Sequence, residues 1–158
     1  MHSRIFQTSK TPIDRDDYIE ESNYYDHWFT NSVADYVNGD TDRDYDIEWL
    51  KDCYGNKGLS FGHDDNGEYF IVEDKIKYFE ANFEKFQKEL KELLEKTFDD
   101  FMGGDISLYR LNSSYDDESG FYIDDDGEYY GITTFDRLMR GATEDTKYYI
   151  GATIDYHF

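Results

Sequence analysis

Four aspartates stand at alternate positions, Asp40, Asp42, Asp44 and Asp46, and two denser acidic runs follow downstream, Asp116-Asp117-Glu118 and Asp124-Asp125-Asp126. Carboxylates at this density can hold a divalent cation, act as general acids and bases, or meet a cationic partner. A calcium loop needs glycine at its sixth place and a bidentate glutamate at its twelfth. Counted from Asp40, those places hold Tyr45 and Lys51; the loops that start at Asp64 and Asp124 put Lys75 and Phe135 at the twelfth. His2, His27, His63 and His157 are scattered without ligand spacing, and the single cysteine, Cys53, has no cysteine partner, so no zinc set is expected. Neither a phosphate-cradling glycine-rich loop nor a nucleophile elbow occurs. The expectation is a chain without metal, cofactor or catalytic group.

One enzyme-like pattern stands apart. Asp64 and Asp65 precede a strand-like run, Tyr69 to Val72, which leads into Glu73-Asp74-Lys75. An Asp followed by Glu-x-Lys at a strand end resembles the metal site of restriction-endonuclease-like nucleases, where carboxylates hold Mg²⁺ and the lysine positions water. The same residues suit the start of a helix, whose positive dipole end favours Glu73 and Asp74. A Mg-dependent nuclease is therefore the distant alternative, and the charge opposes it. With 37 acidic and 16 basic residues the chain carries −21, which repels phosphate backbones and anionic membranes because binding them requires clustered Lys and Arg. Direct nucleic-acid and membrane binding are not expected. A field of this sign steers in basic proteins, including the basic channels that normally hold nucleic acid.

The charge is placed rather than spread. Residues 14–48 hold 12 acids against Arg15 and Arg43, and residues 99–130 hold ten against Arg110, whereas residues 73–98 pair seven acids with six lysines. Solubility alone would distribute acids over every exposed face. An extended 40–48 segment would point alternate aspartates to one side about 6.6 Å apart, roughly two of the ~3.4 Å steps between phosphates along one DNA strand. Such carboxylates could pair with the Arg and Lys of a nucleic-acid channel; equally, Asp44 or Asp46 could cap the helix that carries Trp49. Affinity would come from aromatics, because buried rings carry most interface energy. Aromatic residues make up 19% of the chain, with 16 Tyr, enough to distinguish it from a disordered acidic tail. Tyr24-Tyr25, Tyr115, Tyr122, Tyr129-Tyr130 and Tyr148-Tyr149 are candidates, each adjacent pair burying one ring and exposing the other. The expected partner-binding set is Asp40, Asp42, Asp44, Asp46, Asp116, Asp117, Glu118, Asp124, Asp125, Asp126, Tyr129 and Tyr130.

The elements that must position these residues read as one α+β domain over 1–158, helical to residue 55 and built of sheet plus a long helix from 56 to 158. Thr11-Pro12 with Asp14, Asp16 and Asp17 predicts a helix start, running to about Val37; a shorter helix covers about Asp46 to Tyr54. Strands at 58–62 and 68–72 join through a turn with Asn66-Gly67, a strong hairpin signal. Ile76, Phe79, Phe83, Phe86, Leu90 and Leu93 alternate spacings of three and four between Glu and Lys, which predicts a core-facing amphipathic helix from about Glu73 to Phe98. The same stripe could be a coiled-coil seam, though a short one. Ile106 to Leu111 reads as a strand, Phe121 to Ile123 and Tyr129 to Thr133 as a second hairpin, Thr134 to Arg140 as a helix and Lys147 to Tyr156 as a last strand. Phe61, Asp64, Asp65, Gly67, Glu68 and Tyr69 recur sixty residues on as Phe121, Asp124, Asp125, Gly127, Glu128 and Tyr129, which leaves open a weak ββαβ duplication. The expected architecture is a mostly antiparallel sheet of about five or six strands, with the long helix on one face and smaller helices at the N-terminal side.

Small size, Asp- and Tyr-rich segments, a Lys/Glu helix and missing catalytic motifs together resemble the phage-encoded anti-CRISPR proteins, above all those that inhibit the type II-A RNA-guided nuclease. The likeness covers the whole chain in length and composition, and no shared motif carries a site residue across. It implies direct inhibition by protein–protein contact, either in a basic DNA-binding groove or by trapping a nuclease domain. The neutral helix departs from a wholesale DNA mimic and suits the second mode. An immunity protein against a toxin nuclease and an anti-restriction DNA mimic are the alternatives within the same class. No signal peptide or apolar run of membrane-spanning length occurs, so the expected compartment is the cytoplasm of a bacterial host.

Overall fold

The structure is a computed structural model and describes residues 1–115, 119–125 and 131–158. Seven strands are present among the described residues: β1 (His2–Ser9), β2 (Tyr36–Asn38), β3 (Leu59–Asp64), β4 (Gly67–Val72), β5 (Tyr122–Asp125), β6 (Gly131–Thr134) and β7 (Lys147–His157). The helices are α1 (Trp28–Ser32), α2 (Arg43–Tyr54), α3 (Lys75–Leu94), α4 (Phe98–Gly103), α5 (Leu108–Tyr115) and α6 (Phe135–Gly141). The strand order is β3-β4-β7-β1-β5-β6, and β2 pairs with the C-terminal half of β7 on the edge whose other half is taken by β4. Every pair is antiparallel except β1 with β5, where Ile5 aligns with Tyr122 and Thr8 with Asp125.

β7 organises the sheet. Its residues from Tyr148 to Tyr156 are all buried, because both faces of the sheet are covered. Adjacent residues of β1 show the two sides. Phe6 joins a core with Leu50, Tyr54, Phe70, Phe121, Phe135 and Tyr148 under α2 and α6, while Ile5 joins a second core with Tyr24, Phe29, Ile154 and Tyr156 under residues 10–40. A strand buried on both faces loses the polar–apolar alternation that marks a half-exposed one, so β1 carries no periodic signal in HSRIFQTS.

The two hairpins and their helices form from local signals. Asp65-Asn66 turns β3 into β4 with Asp64 opposite Gly67, and the Asp64 carboxylate accepts the Asn66 N–H at 2.9 Å. The Thr134 hydroxyl caps α6, which buries Phe135, Leu138 and Met139 at helical spacing. α2 begins three residues before its expected start, with Asp42 as cap, and buries Ile47, Leu50 and Tyr54.

Three expected elements are corrected. The helix expected from the Thr11-Pro12 start to about Val37 is instead two short 3-10 turns, Arg15–Asp17 and Glu21–Tyr24, then α1 and β2. Short polar side chains take the local backbone groups a helix would need: Asn23 accepts from Glu20 N–H, His27 from Phe29 N–H, and Thr30 donates to His27 C=O. The strand expected at Ile106–Leu111 lies mostly within helix α5. The long helix exists, capped by Asp74, but does not lie on the sheet. Only Tyr78 is buried, Phe79 packs partly on the core, and Ile76, Phe83 and Leu90 are exposed. α2 and α6 already cover that face, and twenty residues make a helix roughly 30 Å long, longer than a six-residue strand at roughly 20 Å. Beyond Phe79 the helix leaves the body and packs on α5. The sheet is mostly antiparallel, with one parallel pair, and has seven strands among the described residues in place of five or six.

Candidate functional site

Residues 10–35 form a layer over one sheet face that runs on through β2 at the sheet edge to residue 40, and Gln7 fastens it. Between Phe6 and Thr8 the β1–β7 register shifts, which frees the Ala152 N–H from the ladder. Gln7 Oε1 accepts that N–H at 3.1 Å and the Ile19 N–H at 3.2 Å, while Gln7 Nε2 donates to Asp17 C=O at 2.9 Å. Gly151 makes room, since a Cβ there would sit 2.4 Å from Gln7 Oε1. Further along, Phe29 is fully buried between the rings of Tyr122 and Tyr156, at centroid distances of 4.8 and 5.1 Å. Tyr24 is buried beside them and its hydroxyl donates to Asp124 at 2.5 Å. Burial first, and then the neighbouring Asp124 charge, push the Tyr24 phenol far above its ordinary pKa, so it remains a donor.

The outside of this layer is acidic. Asp14, Asp16, Asp17, Glu20, Asp26, Asp35 and Asp40 are exposed, Glu21 is half-buried, and Arg15 is the one Lys or Arg from residue 14 to residue 40. Large rings stand among them: Tyr25 is 63% exposed, Trp28 49% and Tyr36 46%. Two carboxylates help set the surface. The Tyr25 hydroxyl at 2.6 Å, then the Gly39 N–H at 3.0 Å, hold Glu21 below the usual carboxylate range and tie the second turn to the end of β2. A hydrogen bond with His157, whose Nδ1 lies 2.7 Å away, does the same for Asp35.

The residues singled out from sequence divide differently. Asp42 is the α2 cap, accepting from Tyr45 N–H at 3.2 Å. Asp46 is fully buried and takes Arg4 Nε at 2.7 Å. Arg4 also reaches Asp155 on β7, so this network locks α2 to the sheet. Asp40 and Asp44 are exposed, Asp44 lying 3.8 Å from Arg43. No carboxylate comb exists across 43–48, because a helix with 3.6 residues per turn points alternate side chains apart. The segment instead fills a gap on the β7 edge between β4 and β2: Arg43 donates to Ile150 C=O and Gly151 C=O, and Thr41 to Thr153 C=O. Asp124 accepts from Tyr24 and Asp125 is buried. Asp116, Asp117, Glu118, Asp126, Tyr129 and Tyr130 lie outside the described residues. Tyr24 and Tyr25 do split into one buried and one exposed ring, but Tyr148 and Tyr149 are both buried, since β7 is covered on both sides.

The nuclease-like residues do not converge. Asp64 sits where β4 begins, paired with Lys147 at 2.8 Å and accepting from the Tyr149 hydroxyl at 3.1 Å. Glu73 follows the far end of β4, roughly 20 Å away along the strand. Asp74 caps α3, and the Lys75 ammonium donates to Arg140 C=O and Ala142 C=O at 2.7 and 3.0 Å. Among the described residues no group of three or more His, Cys, Asp or Glu is placed to hold a metal ion, and no helix is long and apolar enough to cross a membrane.

The exposed residues of this layer that sequence reasoning did not place in the partner-binding set are Asp14, Asp16, Asp17, Glu20, Asp26 and Asp35, with Trp28 and Tyr36, while Tyr25 was among its candidate aromatics. The segment charge count already held these acids within 14–48; the regular spacing at 40–46 drew the choice away from them. Compared with protein-family models, curated proteins and solved structures, the chain matches none of them.

Proposed function

We propose that this chain is a nuclease inhibitor of the anti-CRISPR kind, which docks its acidic layer on a basic groove of a type II-A RNA-guided DNA endonuclease in the cytoplasm of a phage-infected bacterium. The observation that supports this reading is the outer surface of residues 14–40, which carries seven exposed carboxylates and three exposed rings, with Arg15 the only Lys or Arg in that segment. Carboxylates raise the encounter rate with a cationic groove and set the register. Rings such as Tyr25 and Trp28, desolvated at the centre of the contact, would supply the binding energy. The layer is braced by Gln7, Phe29 and Tyr24, so little ordering cost falls on binding.

The test is a DNA-cleavage assay with a guide-loaded type II-A endonuclease, alongside a variant with Asp14, Asp16 and Asp17 changed to Asn and Glu20 to Gln. None of these four side chains is buried, so the fold is retained, which a four-site change at Asp40–Asp46 would not allow. Exposed ion pairs contribute roughly 0.2–1 kcal/mol each, so with four of them removed the variant should bind roughly 4- to 900-fold more weakly at low salt. The gap should close as salt rises. Equal potency of the two proteins at low salt would remove the acidic layer from the interface. Capture of a toxin nuclease or a restriction complex in place of the RNA-guided enzyme would move the chain to the immunity or anti-restriction alternative.

A further inference from the structure

From the unpartnered face of α3 we infer that the arm formed by α3, α4 and α5 is a self-association surface, on which a second copy of this chain pairs to build a helical bundle. Ile76, Phe83 and Leu90 stand seven residues apart and are 67%, 57% and 36% exposed. Phe86, from the alternate positions of the same stripe, is half-buried with its ring 5.9 Å from that of Tyr115 on α5. α5 thus covers one side of a seven-residue repeat and leaves the other side open, and such a repeat is the seam along which helices supercoil. Beside the open side, between the arm and α6, lies a groove of about 390 Å³, its apolar wall formed by Phe79, Phe83, Phe86 and Tyr115 and its other wall by the Asp136–Arg140 pair, a hole that can receive a partner's knob.

Area and charge identify the occupant. Ile76, Phe83, Tyr109 and Tyr115, which share grooves with Phe79 and Phe86, are 57–69% exposed. With rings of roughly 150–250 Å² each, they present on the order of 300–600 Å² of apolar surface. That equals the ~300–600 Å² of the largest patch on a typical monomer, and the exposed Leu90 and Leu94 further along α3 add toward the ~800 Å² per partner of a stable interface. Two copies at −21 each repel wherever their acidic surfaces meet. Residues 73–98, however, pair seven acids with six lysines, so approach along α3 carries little repulsion. The arm also starts from the sheet face opposite the acidic layer: Tyr78 belongs to the core with α2 and α6, Tyr24 and Phe29 to the other. Pairing by arms therefore keeps the two layers apart. A basic partner gains nothing from the neutral arm, whereas an identical chain does.

The test is sedimentation equilibrium of the full chain from ~5 to ~200 µM, in low salt and in ~0.5 M salt where repulsion is screened. A concentration-dependent dimer is expected, stronger in high salt. Phe83→Glu, and independently Leu90→Lys, should weaken dimerisation at least ~100-fold, as buried interface anchors do, with the circular dichroism of the parent retained at low concentration. A parent that stays monomeric at the highest concentration in high salt overturns the inference, whether or not its arm captures some other protein. So does a dimer that survives both substitutions. The outcome is independent of the inhibition assay, because both variants leave residues 14–40 intact.

Discussion

The acidic layer and the arm are built from opposite materials. The layer has almost no regular structure: two 3-10 turns, one short helix and a three-residue strand. Yet it is fastened to the sheet by Gln7, Phe29 and the Tyr24–Asp124 bond, and its outside carries seven exposed carboxylates against Lys10 and Arg15, with three exposed rings. The arm is regular helix, capped by Asp74 and by a Thr97–Asp100 capping box. It is joined to the body at its first turns, through Lys75, Tyr78 and Phe79, and its outside is apolar and near-neutral. Secondary structure and tertiary anchoring are thus separable: the irregular segment is the braced one, and the regular segment stands free. Each arrangement suits a different kind of contact, a pre-ordered charged face for an unlike partner and a sticky neutral seam for a like one.

Truncating one ring in each region breaks this comparison most directly. Phe29→Ala opens a cavity under the layer and should destabilise the fold by roughly 3–5 kcal/mol, the usual range for a fully buried Phe. Phe83→Ala, on the exposed seam, should lie within about 0.5 kcal/mol of the parent when urea unfolding is followed at a concentration too low for pairing. A comparable loss at Phe83 would mean that the arm is braced by the body after all.

Gln7→Leu is the next largest effect. It keeps the approximate volume but strands the Ala152 N–H, which the β1–β7 irregularity has already taken out of the ladder. A buried donor left without its partner costs about 1–3 kcal/mol. The layer should respond locally as well, with the Ile19 amide losing protection in hydrogen exchange while the amides of α3 do not change. Equal loss in both regions would show that Gln7 supports the sheet as a whole and not the layer in particular.

The legible parts of the molecule were those specified by neighbours in the chain. Asn66-Gly67 announced the first hairpin, Thr134 stands as the cap of α6, and the stripe of α3 marks a real helix. The stripe states that an apolar face exists, but what covers that face depends on α2 and α6 having already taken the sheet, a matter of space rather than of periodicity. Likewise β1 is unreadable locally because its partners, β7 and β5, lie over a hundred residues away. The candidate site divides along the same line. Net charge placed it within residues 14–48, whereas Asp46 differs from Asp44 only because Arg4, 42 residues earlier, reaches it in the folded state.

The smallest expected effect is one in which the two regions should behave alike. Glu21 in the layer is held below the usual carboxylate range by the Tyr25 hydroxyl and the Gly39 N–H, and Asp100 in the arm by the Thr97 N–H and hydroxyl. A carboxyl with a depressed pKa in the folded state contributes stability above its unfolded value, near 4, and loses it as pH falls through the folded value. Both groups are half-buried at the surface and solvent screens them, so global stability should barely register the change. The amides they accept from should: after correction for the intrinsic pH dependence of exchange, protection of Gly39 and Thr97 N–H should fall together as pH drops below ~4. Glu21→Gln should abolish the pH response at Gly39 and leave that at Thr97 unchanged. A response at Gly39 that persists in the variant would assign the acid sensitivity of the layer to another carboxylate, with Asp35 and its His157 partner at the β2 edge the next pair to change.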